Sequence, residues 1–128
     1  MEWQIRLGNS FEKELQNFFD KNYKNNKNGI ESFNDELSNI IKNLIQDPRC
    51  LASALEPWPH KSYNPEFEFR KYRFNAPLLS CSAKKARLDY LLDLKEKRII
   101  LITIYTHKQF KSRPDDMKLR NLIKNETA

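Results

Sequence analysis

One histidine of this chain lies in a strongly cationic part of the sequence. His107 falls in segment 70–113, which contains twelve Lys or Arg and three acids, a net charge of +9, against −3 for the rest of the chain. Charge separated in this way attracts polyanions such as nucleic acids. An imidazole, with an ordinary pKa of about 6.5, can accept or release a proton at neutral pH. The pattern therefore predicts a surface that holds phosphate groups beside a proton-transfer group.

Arg87 is the cation whose direction the sequence predicts most clearly. Residues 87–94 alternate between polar and apolar, so Arg87 is expected on the face opposite Leu88 and Tyr90, with Asp89 and Asp93 also facing outward. A planar guanidinium there can hold a phosphate with two hydrogen bonds. Simpler interpretations stay open: an ion pair of Arg87 with Asp89, a structural histidine at a strand end, or a solvated basic face without a partner.

These residues need elements to position them, and hydrophobic periodicity predicts both helices and strands. Trp58, between two prolines, is expected to anchor an irregular excursion, and a shift of phase near Arg70 suggests a bulge in a strand. The predicted elements in chain order are a strand at 2–7, a helix capped by Asn9 or Ser10, a turn at 22–29, a helix over 30–45 ended by Asp47 and Pro48, the excursion at 49–65, strands at 66–74, 87–94 and 99–106, and a helix after Pro114.

Composition limits the kind of protein. A chain of 128 residues with 39% hydrophobic residues supports a single domain over 1–128, and its apolar runs are too short to span a bilayer. Without the apolar run of a secretion signal at its start, the chain is expected in the cytoplasm. The two cysteines, Cys50 and Cys81, are expected to be reduced. Together with His60 and His107 they are not spaced like the ligands of a metal site. We therefore expect no metal and no cofactor.

The order of these elements resembles the RelE/ParE superfamily of bacterial toxins. The stretches 69–74, 80–85 and 86–90 (FRKYRF, SCSAKK and ARLDY) look like the family's basic second strand, its loop and its third strand. Residues 102–110 (ITIYTHKQF) are similar to the final strand of the YafQ-like branch, in which the histidine of a Thr-His pair is catalytic. The resemblance covers about residues 2 to 113. It implies a RelE-like α+β fold of order β-α-α-β-β-β, with a small antiparallel sheet packed on two helices and a possible short C-terminal helix.

The same resemblance implies a toxin of a type II toxin-antitoxin system that cleaves messenger RNA without a metal, in the ribosome, by attack of a ribose 2′-hydroxyl on the adjacent phosphate. Its catalytic residues here would be His107, Arg87 and Lys85. A cognate antitoxin would cover the basic face. Cations would follow the RNA backbone, and aromatic rings either stack on bases or pack internally. The implied RNA-binding residues are Arg70, Lys71, Arg73, Lys84, Tyr105, Lys108 and Phe110.

Two other functions are compatible with the sequence. A ParE-like toxin inhibits DNA gyrase by binding alone and has no use for a proton-transfer residue such as His107. A basic α+β protein that binds RNA without cutting it needs the cations only, and its affinity falls with salt.

Overall fold

The computed structural model describes residues 2–127 and shows an α+β protein with one mixed sheet and four helices. Within that range no helix combines the length and the apolar character needed to cross a membrane. The elements in chain order are β1 (Gln4–Leu7), α1 (Phe11–Asn22), α2 (Lys27–Gln46), β2 (Ser53–Leu55), β3 (Phe67–Asn75), α3 (Cys81–Lys84), β4 (Lys85–Asp93), β5 (Arg98–Thr106) and α4 (Asp116–Thr127).

The sheet has five strands in the order β1-β5-β4-β3-β2, which corrects the prediction of a small antiparallel sheet. Strands β3, β4 and β5 form the expected antiparallel meander, but β1 pairs parallel to β5 at one edge. At the other edge β2, which lies in the excursion predicted to be irregular, pairs with β3. The α+β class and the C-terminal helix are confirmed.

Helices α1 and α2 cover one face of the sheet, as their apolar stripes predict. Phe18 of α1 and Phe33 of α2 are fully buried, with ring centroids 4.8 Å apart. Asn26 caps α2, since its Oδ1 accepts the N–H of Gly29 at 2.9 Å. The first helix begins where expected, but the side chain of Ser10 makes no capping hydrogen bond.

The opposite face of the sheet is half covered by α4 and by Trp58. Leu119 and Ile123 of α4 are buried against the sheet, and Trp58 packs on Phe69 with ring centroids 5.7 Å apart, so its predicted role as an anchor is confirmed. We call this region the covered half, defined by the sheet residues Phe69, Leu91, Ile100 and Ile102.

Two local predictions are wrong. The bulge lies in β5, where Ile102 has no partner between Leu101 and Thr103, whereas β3 pairs with β4 without interruption. Asp89 and Asp93 were expected to face solvent, but both are buried, at 0% and 7% exposure. The polar residues of β4 do lie on one face of the sheet, as their alternation predicts. That face is covered by residues distant in sequence, so these positions are buried.

Candidate functional site

Beyond the covered half, the same face of the sheet carries an open cationic depression of about 380 Å³. Arg73 of β3 lies directly opposite Arg87 of β4, and Asn75 lies opposite Lys85 one step further along. These four residues share a face because the side chains of directly paired positions point the same way. We call them the open half. The end of β3 and the start of β4 thus bring three cations together on this face of the sheet.

No carboxylate among residues 2–127 lies within 4.0 Å of these three cations. The half-buried guanidinium of Arg87 donates instead to the Ala86 carbonyl at 2.7 Å. Partial burial and the facing charge of Arg73 lower the pKa of Arg87. An anion bound between Arg73 and Arg87 would offset both effects. The ion pair of Arg87 with Asp89 that the sequence left open is not formed.

His107 lies beside this depression, immediately after β5. Its backbone N–H donates to the Lys85 carbonyl at 2.9 Å, which continues the ladder in which Arg87 faces Tyr105. His107 and Arg87 are therefore diagonal neighbours, with Cα atoms about 7–8 Å apart. His107 is half-buried and so lies outside the core, and it borders the depression without being one of the residues that line it. The structure brings His107, Arg87 and Lys85 together.

A hydrogen bond from the ring of His107 fixes which nitrogen is free. Nδ1 lies 2.8 Å from the carbonyl oxygen of Lys111. A carbonyl can only accept, so Nδ1 carries the proton in this contact. The neutral ring therefore leaves Nε2 with a lone pair. That nitrogen can accept a proton from a substrate hydroxyl.

The turn that carries His107 is held by Gln109, which sequence reasoning missed. Gln109 Oε1 accepts hydrogen bonds from the backbone N–H of Thr106 and from Asn22 Nδ2, both at 3.0 Å. The backbone N–H groups of Gln109 and Phe110 in turn donate to the Thr106 carbonyl. Asn22 ends α1, so a contact across 87 residues fixes the turn. Only a predicted contact between the first helix and the last strand could have revealed it.

Two of the expected RNA-binding cations are occupied elsewhere. Arg70 is 9% exposed and faces α1 and α2, where it donates to Ser53 Oγ at 2.8 Å and to Glu68 at 3.0 Å. It therefore cannot line the open half, which corrects its assignment. Lys71 does face the α4 side, but its Nζ pairs with the buried carboxylate of Glu56 at 3.0 Å.

The two aromatic candidates differ from what base stacking requires. Tyr105 is 1% exposed, so its ring cannot receive a base, and the packing interpretation holds for this residue. Phe110 is half-buried and contacts the Tyr105 ring edge-on, with centroids 5.9 Å apart. The ammonium of Lys118 lies 5.8 Å from the Phe110 ring centroid. Phe110 thus packs against the end of β5 and helps to hold the following turn in position.

The remaining cations stay available on the surface. Lys84, at the end of α3, and Lys108, in the turn after β5, are both exposed. Neither lies within 4.0 Å of a carboxylate in the described part of the chain. Lys84 adjoins Lys85 and Lys108 adjoins His107 in the chain, so both add positive charge next to the open half.

Between the covered and open halves lie buried polar groups that lack partners. Both carboxyl oxygens of Asp89 and the hydroxyl of Tyr105 have no hydrogen-bond partner among residues 2–127. Burial, with the nearby charge of Glu56, raises the pKa of Asp89 well above its ordinary value, although Lys71 and Arg113 oppose the shift. Burial also raises the pKa of Tyr105. Asp89 is therefore held toward its neutral form next to the cationic surface.

Within residues 2–127 no three His, Cys, Asp or Glu side chains are grouped so that they could hold a metal ion. Both cysteines are free thiols. Among residues 2–127, the open half offers three cations without acid partners, and the imidazole of His107 follows the adjacent strand β5. No protein-family model, curated protein or solved structure matches this chain.

Proposed function

We propose that this protein is a metal-independent RNA endonuclease and a toxin that resembles the RelE/ParE superfamily. It cuts messenger RNA in the ribosome, and the cut is made at the open half of the sheet. The observation that carries the proposal is the facing pair Arg73 and Arg87, unpaired with any acid in the described chain, beside the free Nε2 of His107. Facing cations destabilise a sheet unless an anion lies between them. A phosphodiester is an anion that the adjacent imidazole could act on.

The reaction follows from the groups present. His107 Nε2 accepts the proton of a ribose 2′-hydroxyl, whose oxygen attacks the adjacent phosphorus. The P–O5′ bond breaks, which leaves a 2′,3′-cyclic phosphate and a 5′-hydroxyl. Arg87 stabilises the charge that builds on the equatorial oxygens. The ammonium of Lys85, exposed at the start of β4, supplies the proton to the leaving oxygen.

The positive charge of the open half also supports the two proposed partners, RNA and an antitoxin. Unpaired cations on one face attract the RNA backbone with little regard to sequence. An antitoxin that ends toxicity would cover the same face with an acidic or amphipathic segment. Such a pair would act in the cytoplasm, where messenger RNA is translated.

The test is expression of the chain in cells, with primer-extension mapping of transcripts. We expect discrete cuts in translated messages, reduced at least about a hundredfold in His107→Ala, since a proton-transfer group contributes roughly 10²–10⁴-fold. His60→Ala is the matched control, because it removes the other histidine and keeps its backbone contact with Asp116. Cleavage that is unchanged in His107→Ala would remove His107 from the mechanism.

The same experiment distinguishes the two alternatives. Intact transcripts together with inhibited supercoiling by purified gyrase would replace the nuclease with a ParE-like toxin. Intact transcripts with salt-sensitive RNA binding would leave a binding protein that uses the same cations.

A further inference from the structure

A second cationic pocket lies at the other end of the molecule, between the loop 61–64 and the last turns of α4. Its volume is about 340 Å³, which is at the lower end of the range for small-ligand sites. Arg120, Ile123, Lys124 and Thr127 follow one helical face and form one wall. Residues 67 and 75 mark the two ends of β3, which spans about 26 Å. The loop of this pocket precedes the start of β3, the open half lies at the end of β3, and the two share no lining residue.

The loop wall of this pocket is pre-formed. The N–H of His60 donates to Asp116 Oδ2 at 3.1 Å, and Arg113 Nη1 donates to the Pro57 carbonyl at 2.6 Å, so the loop is fixed to the start of α4. Within the loop, the N–H of Ser62 donates to the Pro59 carbonyl at 3.0 Å. A ligand would meet an ordered surface and would not have to order the chain first.

Of the residues that the structure describes, three cations and no acid line the pocket. Lys61 comes from the loop, and Arg120 and Lys124 stand four residues apart on α4. In the described residues none of the three lies within 4.0 Å of a carboxylate. Like charges at this helical spacing destabilise a helix. The arrangement is therefore unfavourable without a counter-charge and favourable with an anion between the loop and the helix.

Two further residues of the loop indicate what kind of anion. Ser62 lines the pocket, and its Oγ is buried without a partner among residues 2–127, so its capacity to donate is unused. Tyr63 is 71% exposed, and its ring stands edge-on to Trp58 with centroids 6.1 Å apart. An exposed aromatic ring held in place beside three cations suits a ligand with both a planar base and a phosphate.

We propose that this pocket binds a nucleotide 5′-monophosphate, with the phosphate between Lys61, Arg120 and Lys124 and the base against Tyr63. The ligand is either a free nucleotide or the 5′ end of a nucleic acid strand, which share this chemistry. The site does not rest on the proposed nuclease, because its residues are not those of the open half.

The test is a titration of the ¹⁵N-labelled chain, followed by two-dimensional amide NMR, with AMP, adenosine and inorganic phosphate. AMP should shift the amides of residues 61–64 and 120–127 in a saturable way, and adenosine should not. Inorganic phosphate should shift the same amides with weaker affinity. Tetradeoxynucleotides with and without a 5′-phosphate separate the two sources. If strand ends are accepted, only the phosphorylated form should shift the amides of residues 61–64 and 120–127, whereas both forms can contact the open half.

Variants assign the contacts. Lys124→Ala should weaken AMP at least tenfold, and Arg120→Ala serves as a second variant on the same wall. Tyr63→Ala should weaken AMP but not inorganic phosphate. The control is Lys42→Ala, which removes one exposed cation from the distant helix α2. The amide spectrum of each variant reports whether it has folded.

The outcomes are separable from those of the nuclease test. AMP that shifts no amide in residues 61–64 or 120–127, or an affinity unchanged in both Lys124→Ala and Arg120→Ala, overturns the proposal. Neither result bears on cleavage by His107. Conversely, loss of cleavage in His107→Ala leaves AMP binding at this pocket as predicted.

Discussion

The covered half and the open half of the sheet lie on the same face of the same strands, yet they treat polar groups in opposite ways. In the covered half, Phe69, Leu91 and Ile100 are buried under α4 and Trp58. At its border Lys71 and Arg113 pair with the carboxylate of Glu56, at 3.0 and 3.6 Å. In the open half the cations face one another, and no carboxylate in the described part of the chain lies within 4.0 Å of them. The chain therefore provides counter-charges next to the core and leaves them out two residues further along the strand.

From this difference we infer that the charged side chains of the open half contribute little to the stability of the fold. Within residues 2–127, Arg73, Lys85 and Arg87 form no ion pair, and Arg73 and Lys85 are exposed. A surface whose charges weaken the fold slightly is expected where those charges serve a ligand. Mutations can test this contrast because each half supplies a matched residue.

The largest effect is expected in the covered half. Leu119→Ala removes a fully buried side chain from the interface of α4 with the sheet. The free energy of unfolding should fall by about 2–5 kcal/mol, from lost burial and the cavity left behind. Lys85→Ala, in the open half, should change it by less than about 0.5 kcal/mol. Urea unfolding of both variants measures this, and equal losses would end the distinction between the halves.

A smaller effect, with a defined pH dependence, is expected at Asp89. Because burial raises the pKa of Asp89, the folded state binds this proton more tightly than the unfolded chain. The stability that it contributes is complete below its ordinary pKa of 3.8 and is lost as the pH rises through the raised pKa of the folded state. Asp89→Asn, which cannot ionise, removes that loss.

The variant Asp89→Asn should therefore be more stable than the natural chain at pH 8, by about 1–3 kcal/mol. At pH 5 this gain in stability should be smaller. Chemical unfolding at both pH values measures the difference. A constant difference between the two chains from pH 5 to pH 8 would show that the pKa of Asp89 is not raised in the folded state, because the carboxyl group of the unfolded chain is already ionised in this range.

The smallest effect compares two cations on one strand. Arg73→Gln removes one of two facing guanidinium groups and should stabilise the fold by up to about 0.5 kcal/mol. Lys71→Gln, two residues away on the same face, leaves the buried carboxylate of Glu56 without its nearer partner and should destabilise it by about 1 kcal/mol. Opposite signs in thermal unfolding support the contrast, whereas equal destabilisation would argue that Arg73 is structural.

The sequence predicts this fold well where a periodic pattern is local. The stripe from Phe33 to Leu44 in α2 and the alternation around Leu88 in β4 appear as helix and strand. It cannot show that β1 joins β5 in parallel, because the partner of an edge strand is set by tertiary packing. The three residues of β2 are too few to produce a readable pattern.

The site is less predictable than the fold. Proximity of His107, Lys85 and Arg87 follows from the antiparallel register of β4 and β5, which the strand pattern indicates. The burial of Tyr105 and Arg70 does not follow, because it depends on which residues from other elements cover each face. Gln109 was missed for the same reason, since its partner Asn22 lies on another element.

Whether the open half holds a phosphodiester is decided by amide NMR of the chain with a short RNA that carries 2′-deoxyribose at each position where cutting could occur. We expect saturable shifts at Arg73, Lys85, Arg87 and His107. The affinity should be at least tenfold weaker in Arg87→Ala and should fall steeply with salt. Shifts confined to other parts of the chain, or no shift at any of these four residues, would contradict it.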